Sequence, residues 1–339
     1  MRWFWLVWIV FIAACSEPSL YVLEDAPIKM NVPAGFPAVE YPSGNEPTRL
    51  RVELGRRLFY DNRLSSDYSM NCGSCHALSA AFTDGRSTSP GLHGIAGKRN
   101  APTLVNLAWM KRLMMEGGVP TLETQALAPL HDSTEMAAGI LPLINRLNQD
   151  AYLLALAKAA YGRDSVDAYV VTRALACFQR TFFSGDGRYD RYKIGKKDEL
   201  NDAELRGMQL FFSPHTHCSE CHSGVFFTDM DYHNIGLETE YQDEGKARAT
   251  HLDEDVGRFK TPTLRNIQLT APYMHNGSMG SLEEVVQFYN KGGFAHRNKD
   301  SRMVPLGLTE QEQQDLISFL TTLTDWNFVQ RKDLLPLIP

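Results

Sequence analysis

Cys72-Gly73-Ser74-Cys75-His76 and Cys218-Ser219-Glu220-Cys221-His222 each set two thiols one helical turn apart with an imidazole directly after the second thiol. This is the arrangement that covalent haem attachment needs: the thiols add to the two vinyl groups and the imidazole ligates the iron. Paired C-x-x-C also occurs in zinc ribbons. A tetrathiolate zinc site has no use for a His at the same place after both pairs. Two c-type haems are therefore expected, one on Cys72 and Cys75 with His76 as ligand, one on Cys218 and Cys221 with His222.

Covalent haem implies export, and the N-terminus agrees. A single Arg2 precedes the apolar run Trp3 to Ala14, too short to span a bilayer and of signal-peptide length. The run ends in Ile12-Ala13-Ala14-Cys15, which resembles a bacterial lipobox. Residues 1–14 are then a signal peptide, and lipidation of Cys15 anchors a periplasmic protein to a membrane. Ser16 after that Cys favours the outer membrane. The competing reading is an ordinary secretory signal with an incidental Cys. Residues 15–47, rich in Pro and Gly, read as a tether or extended arm. The remaining Cys177 recurs with Val166, Val170 and Ala174 at helical spacing, so a buried, unreactive thiol is expected. A net charge of −6 argues against a nucleic-acid partner.

The elements that must position these motifs repeat along the chain. Gly55-x-x-Leu58-Phe59 precedes the first haem motif and Gly207-x-x-Leu210-Phe211 the second; Pro102-Thr103-Leu104-x-Asn106 follows the first, Pro262-Thr263-Leu264-x-Asn266 the second. Gly117 and Leu122 lie at the same offsets as Gly277 and Leu282. Fixed offsets between two halves are the sign of a repeated unit. The signals are helical: Asn201-x-x-Glu204, Ser281-x-x-Glu284 and Thr309-x-x-Glu312 are capping boxes, and Leu282, Val285, Val286 and Tyr289 fall on one helix face, pointing Tyr289 inward. The expectation is an all-α fold of two cytochrome c-like haem domains related by internal duplication, with long loops. The boundaries expected are 48–185 and 186–339, with the last helix packing back on the first domain.

Residues from about 45 to 325 resemble the bacterial dihaem cytochrome c peroxidase and MauG family. The stretches that carry the resemblance are Leu54 to Asp61, both haem motifs, Arg99 to Thr103, Leu122 to Ala126, Glu135-Met136, and Thr261 to Asn266 running on to Ala271 to His275. The resemblance implies that the first haem is the peroxide site, with His76 below the iron and an open or openable position above it. Gln125 and Glu135 match the distal pair, Glu135 as the acid/base and Gln125 as a hydrogen-bonding support. His93 sits near the displaceable ligand of many members. Either it ligates the resting iron and must be released by reduction, or it is a loop His exposed to water; the second reading is preferred.

The resemblance makes the His222 haem the centre of electron entry or charge sharing. Many members give that iron a Met; the matching position here is Tyr289, as in MauG-like members, with Met274, Met279 and His275 as competing ligands. A phenolate stabilises ferric iron and lowers the potential. The family's bridging calcium carries over onto Asn100, Thr270 and Pro272. One departure stands out: the Trp of a Trp-Asp-Gly stretch between the haems is replaced in Met115-Glu116-Gly117, which leaves Trp109 or Tyr273 as other routes between them. The activity implied is reduction of hydrogen peroxide with electrons from a small periplasmic redox protein. The alternative is a MauG-like oxidase that uses a high-valent dihaem state to oxidise residues on a partner protein. A dihaem electron carrier without catalysis is argued against by Gln125 and Glu135. A homodimer is compatible with the sequence.

Overall fold

The computed structural model describes residues 23–337, so the expected signal peptide and Cys15 lie outside the described residues. The helices in chain order are α1 (Arg49–Phe59), α2 (Leu122–Gln125), α3 (Leu127–His131), α4 (Ile140–Leu147), α5 (Ala151–Tyr161) and α6 (Ala168–Gln179), then α7 (Arg188–Lys193), α8 (Asp202–Phe211), α9 (Cys218–Cys221), α10 (Ala247–Thr250), α11 (Leu282–Lys291) and α12 (Glu310–Thr321). The all-α expectation needs one correction. The loop after the second haem motif folds back on itself, and β1 (Tyr232–His233) pairs antiparallel with β2 (Phe259–Lys260) in a two-residue ladder. The chain is helix-rich with little sheet.

Each half is organised by one close helix crossing. In α1, Leu50, Leu54 and Leu58 recur every fourth residue, are fully buried, and bring the helix onto α6. Gly55 lies at the contact, where a Cβ would fall 1.9 Å from the carbonyl oxygen of Ala174. The second half repeats this between α8 and α12, where a Cβ on Gly207 would fall 1.8 Å from the carbonyl oxygen of Asp315. The repeated glycine is therefore a packing requirement: only a missing side chain lets the two helices approach this closely. The capping boxes at Asn201/Glu204 and Thr309/Glu312 open α8 and α12, and Ser281 caps α11 through the Glu284 amide.

Two cores result. The first is built on Leu50, Leu54, Phe59, Phe82, Phe178 and Phe182, the second on Tyr189, Phe211, Phe227, Leu316, Phe319 and Leu323. The last helix, α12, stays with α8 in the second core; it is the segment after it, through Phe328 and Leu334, that returns to the first. At the junction the repeated Asn106 and Asn266 are fully buried in left-handed backbone (φ 58° and 60°), and both bond Ser184: Asn106 Nδ2 to its carbonyl at 2.9 Å, Asn266 Nδ2 to its hydroxyl at 2.8 Å. Asn tolerates that backbone conformation and supplies a donor and an acceptor to it.

The segment from Glu24 to Pro47 is an extended arm packed over this junction. Phe36 sits edge-on to Trp109 (5.4 Å) and Phe226 (5.1 Å), and the Arg265 guanidinium lies 4.6 Å over its ring. Asn45 is fully buried and donates to Glu123 at 2.8 Å, inside the Glu123–Arg180 ion pair. Cys177 is buried there too, its thiol 3.2 Å from Asn45 Oδ1, and burial pushes its pKa up to about 11.

Candidate haem-binding active site

Both haem motifs fold as a single helical turn: the His76 amide donates to Cys72 O at 3.0 Å and the His222 amide to Cys218 O at 2.9 Å. The first thiol of each pair packs on its own half's core. His76 Nδ1 then donates to the carbonyl of Phe82 (2.8 Å) and His222 Nδ1 to that of Phe227 (3.1 Å). This fixes the tautomer and leaves Nε2 of each ring for iron. Burial depresses the pKa of both imidazoles and so keeps them neutral, the form a metal needs. The residues present therefore fit a covalent haem in each half.

The repeated Pro-Thr-Leu-x-Asn stretch completes the support. Thr103 Oγ1 donates to Ala81 O and Thr263 Oγ1 to Phe226 O, both at 2.6 Å. Ala81 and Phe226 directly precede the two phenylalanines whose carbonyls hold the histidines. Repetition marked these threonines in the sequence; their role needs the fold, because the bond spans 22 residues in one half and 37 in the other.

On the first side, Thr121 caps α2 through the Thr124 amide, and Gln125 ends that helix half-buried with its Nε2 3.9 Å from Met114 Sδ. Glu135 sits on a turn held by Asp132, whose carboxylate accepts from Thr134 N and Oγ1. Its side chain is exposed and lies in electrostatic range of Cys75; desolvation by the surrounding protein, then the Asp132 charge, raise its pKa above the ordinary value. The loop bearing His93 is tied to the same turn, Leu92 N donating to Glu135 O at 3.2 Å. The imidazole of His93 itself points outward, 72% exposed and 3.8 Å from Asp67.

On the second side, Tyr289 lies on the continuous helix α11, in electrostatic range of both Cys218 and Cys221. Its hydroxyl makes no hydrogen bond to a described residue, and burial raises its pKa. Tyr273, by contrast, donates to Ile267 O at 3.0 Å, and His275 is stacked on Phe259 at 3.9 Å with its pKa lowered to about 4, chiefly by burial. Between the halves, Arg99 joins Glu116 to Asp243, the latter at 2.8 Å. Asn100 donates from its amide N to His275 O at 2.8 Å and from Nδ2 to Arg86 O at 2.7 Å, which sets it beside the segment containing Thr270 and Pro272. Sequence reasoning missed a cluster beside the second motif. His233 bonds Asp229 and Asp300, both at 2.8 Å, with Arg302 at 3.0 Å, while Cys221, Asp229 and His233 fall within 4.8 Å of one another. Because the motif spacing assigns the Cys221 sulfur to a haem thioether, this trio would be part of the haem surroundings.

Residues 49–198 match the family model for di-haem cytochrome c peroxidase. The chain is 36% identical to the methylamine utilization protein MauG of Methylorubrum extorquens, over 84% of this chain and 81% of that protein. The chain belongs to the dihaem cytochrome c peroxidase and MauG family. It is 34% identical to the cytochrome-c peroxidase IdrP1 of Denitromonas iodatirespirans, over 85% of each. It also superposes on the crystal structure of a MauG-like protein associated with microbial copper homeostasis, with a TM-score of 0.86 and 34% identity, covering 91% of this chain and 99% of that one. As a family member the protein is an oxidoreductase of the peroxidase type that carries two c-type haems.

Proposed function

We propose that this protein reduces hydrogen peroxide at the His76 haem and draws the electrons from residues of a partner protein. Relatives named as MauG and as cytochrome-c peroxidase match at nearly equal identity. The reading therefore rests on Tyr289: a half-buried phenol beside both thiols of the second motif, with no hydrogen bond to a described residue. Tyr289 and His222 would hold the second iron, and a phenolate there would stabilise the oxidised metal, which suits a centre that shares oxidising charge better than one that accepts electrons from a small carrier.

The haem supplies the iron at which peroxide is reduced. Glu135 takes the first proton from peroxide and returns it to the departing oxygen, and Gln125 orients the bound oxidant. Each peroxide takes up two electrons and two protons and leaves as two waters. The two halves are read as a duplicated unit, divided near residue 185, with a calcium ion on Asn100, Thr270 and Pro272 between them. The motifs and N-terminus support a periplasmic protein held by a lipid on Cys15.

Paramagnetic resonance and resonance Raman spectroscopy of the ferric protein test the reading. The expected spectrum contains one low-spin His/Tyr haem beside one high-spin haem, and Tyr289→Phe converts the first to high spin. A spectrum unmoved by Tyr289→Phe, together with rapid peroxide turnover on a reduced small cytochrome, would return the function to a donor-fed peroxidase.

A further inference from the structure

The geometry points to Trp109 as the redox relay between the two haem sites. The two histidines are held by the carbonyls of Phe82 and Phe227, and an aromatic path joins those residues. The Phe82 ring stacks on Phe182 at 4.0 Å with an interplanar angle of 3°. Phe183, next in the chain, lies 4.7 Å from Trp109, and Trp109 lies 5.1 Å from Phe226, the neighbour of Phe227. The arm closes the path from outside: Phe36 packs edge-on to both Trp109 and Phe226, and Pro37 O accepts from the indole at 3.1 Å.

Within this path only the indole can be oxidised at potentials a protein tolerates; the phenylalanines fill the gaps on either side. Trp109 gives one electron toward the His76 side and recovers one from the His222 side, so two passages serve one peroxide and the side chain ends unchanged. Its N–H proton stays in place, since a tryptophan radical cation needs no base. The rival groups fail on that point. The Tyr232 hydroxyl is buried with no hydrogen-bond partner, and Tyr273 donates only to a carbonyl, so neither phenol has a base to receive the proton that its oxidation releases. Met115 offers no ring. The relay rests on the reading that peroxide reacts at the His76 haem.

Rapid mixing of the dihaem protein with hydrogen peroxide, followed at the absorption of each haem, tests it. In Trp109→Phe the response of the second haem should lag the first by on the order of tenfold longer than in wild type, with resting spectra and both reduction potentials unchanged. Trp109→Tyr, with only the Pro37 carbonyl beside the ring and no base for a phenolic proton, should not recover the loss, while Tyr232→Phe and Met115→Leu leave the lag as it was. Freeze-quenched samples should show a radical signal that narrows with ring-deuterated tryptophan and is absent from Trp109→Phe. A first haem that responds while the lag stays at the wild-type value in Trp109→Phe would overturn the relay alone. A first haem that ignores peroxide would remove the reading beneath it.

Discussion

The two halves share a frame and differ at the place where chemistry is decided. With the offset that aligns Asn106 with Asn266, Pro129 in the first half corresponds to Tyr289 in the second. Pro129 has no N–H to give the Gln125 carbonyl, and the helix that begins at Leu122 ends at Gln125 before α3 starts afresh. In the second half the helix runs unbroken from Leu282 to Lys291 and carries Tyr289 toward the haem motif. One residue type thus breaks the helix near Gln125 and the Glu135 turn, and the other lets it run on to bring Tyr289 beside the second motif, where the proposed function would have it bind the iron. The same scaffold differs on this side of the two motifs without any change in how His76 and His222 are held.

The largest effect tests whether the halves load independently. Cys218→Ala with Cys221→Ala should leave one covalent haem per chain by pyridine haemochrome analysis, and Cys72→Ala with Cys75→Ala should do the same. Loss of both haems from either double variant would mean that the half left intact cannot form its site without the other.

Chemistry should be confined to the open side. Glu135→Gln is expected to slow peroxide turnover by about 100-fold or more while both haem spectra persist. The carboxylate must be ionised to take a proton, and burial and Asp132 raise its pKa above 4.5. Turnover should therefore switch on as pH rises through that raised value, and Glu135→Gln should erase this limb of the profile. An unchanged profile would remove Glu135 from the reaction.

Packing should respond equally in both halves. In Gly55→Ala and Gly207→Ala a new Cβ meets a backbone carbonyl that no rotamer change can move, so each should cost about 3 kcal/mol in denaturant unfolding. A clear inequality would show that one crossing carries more of the fold than the other.

Much of this frame was legible in the sequence because its signals are local. The haem motifs need only five consecutive residues, and the capping boxes and the inward face of α11 follow from helical spacing. The repeated Gly-x-x-Leu-Phe was visible as repetition, but why glycine is required depends on Ala174 and Asp315, more than a hundred residues away in each half. Phe36 and Asn45 read as part of a loose arm because nothing near them in the chain shows that their partners are Trp109, Phe226 and Glu123. The two-residue ladder escaped for the same reason: it forms where a long loop returns, and too few residues take part to leave an alternating pattern.

The smallest effect is the one that discriminates most finely between the halves. Thr103→Val keeps the shape of the side chain but removes the hydroxyl from Ala81 O and from the Val105 amide. The cost should be about 1–2 kcal/mol, with a broadened paramagnetic signal from the His76 haem as the Phe82 carbonyl loses its support. Thr263→Val removes the equivalent bonds to Phe226 O and the Arg265 amide, yet its effect should be smaller. At the position of Val105 the second half has Arg265, whose Nε donates to Val225 O at 2.6 Å while its other nitrogens bind Asp190 at 2.8 and 2.9 Å. That buried guanidinium grips the same stretch of backbone one residue earlier, so the His222 support has two fixings where the His76 support has one. If so, Arg265→Met combined with Thr263→Val should lose more than the two separate changes added together. Strict additivity in that double variant would show that the two fixings act on different parts of the backbone.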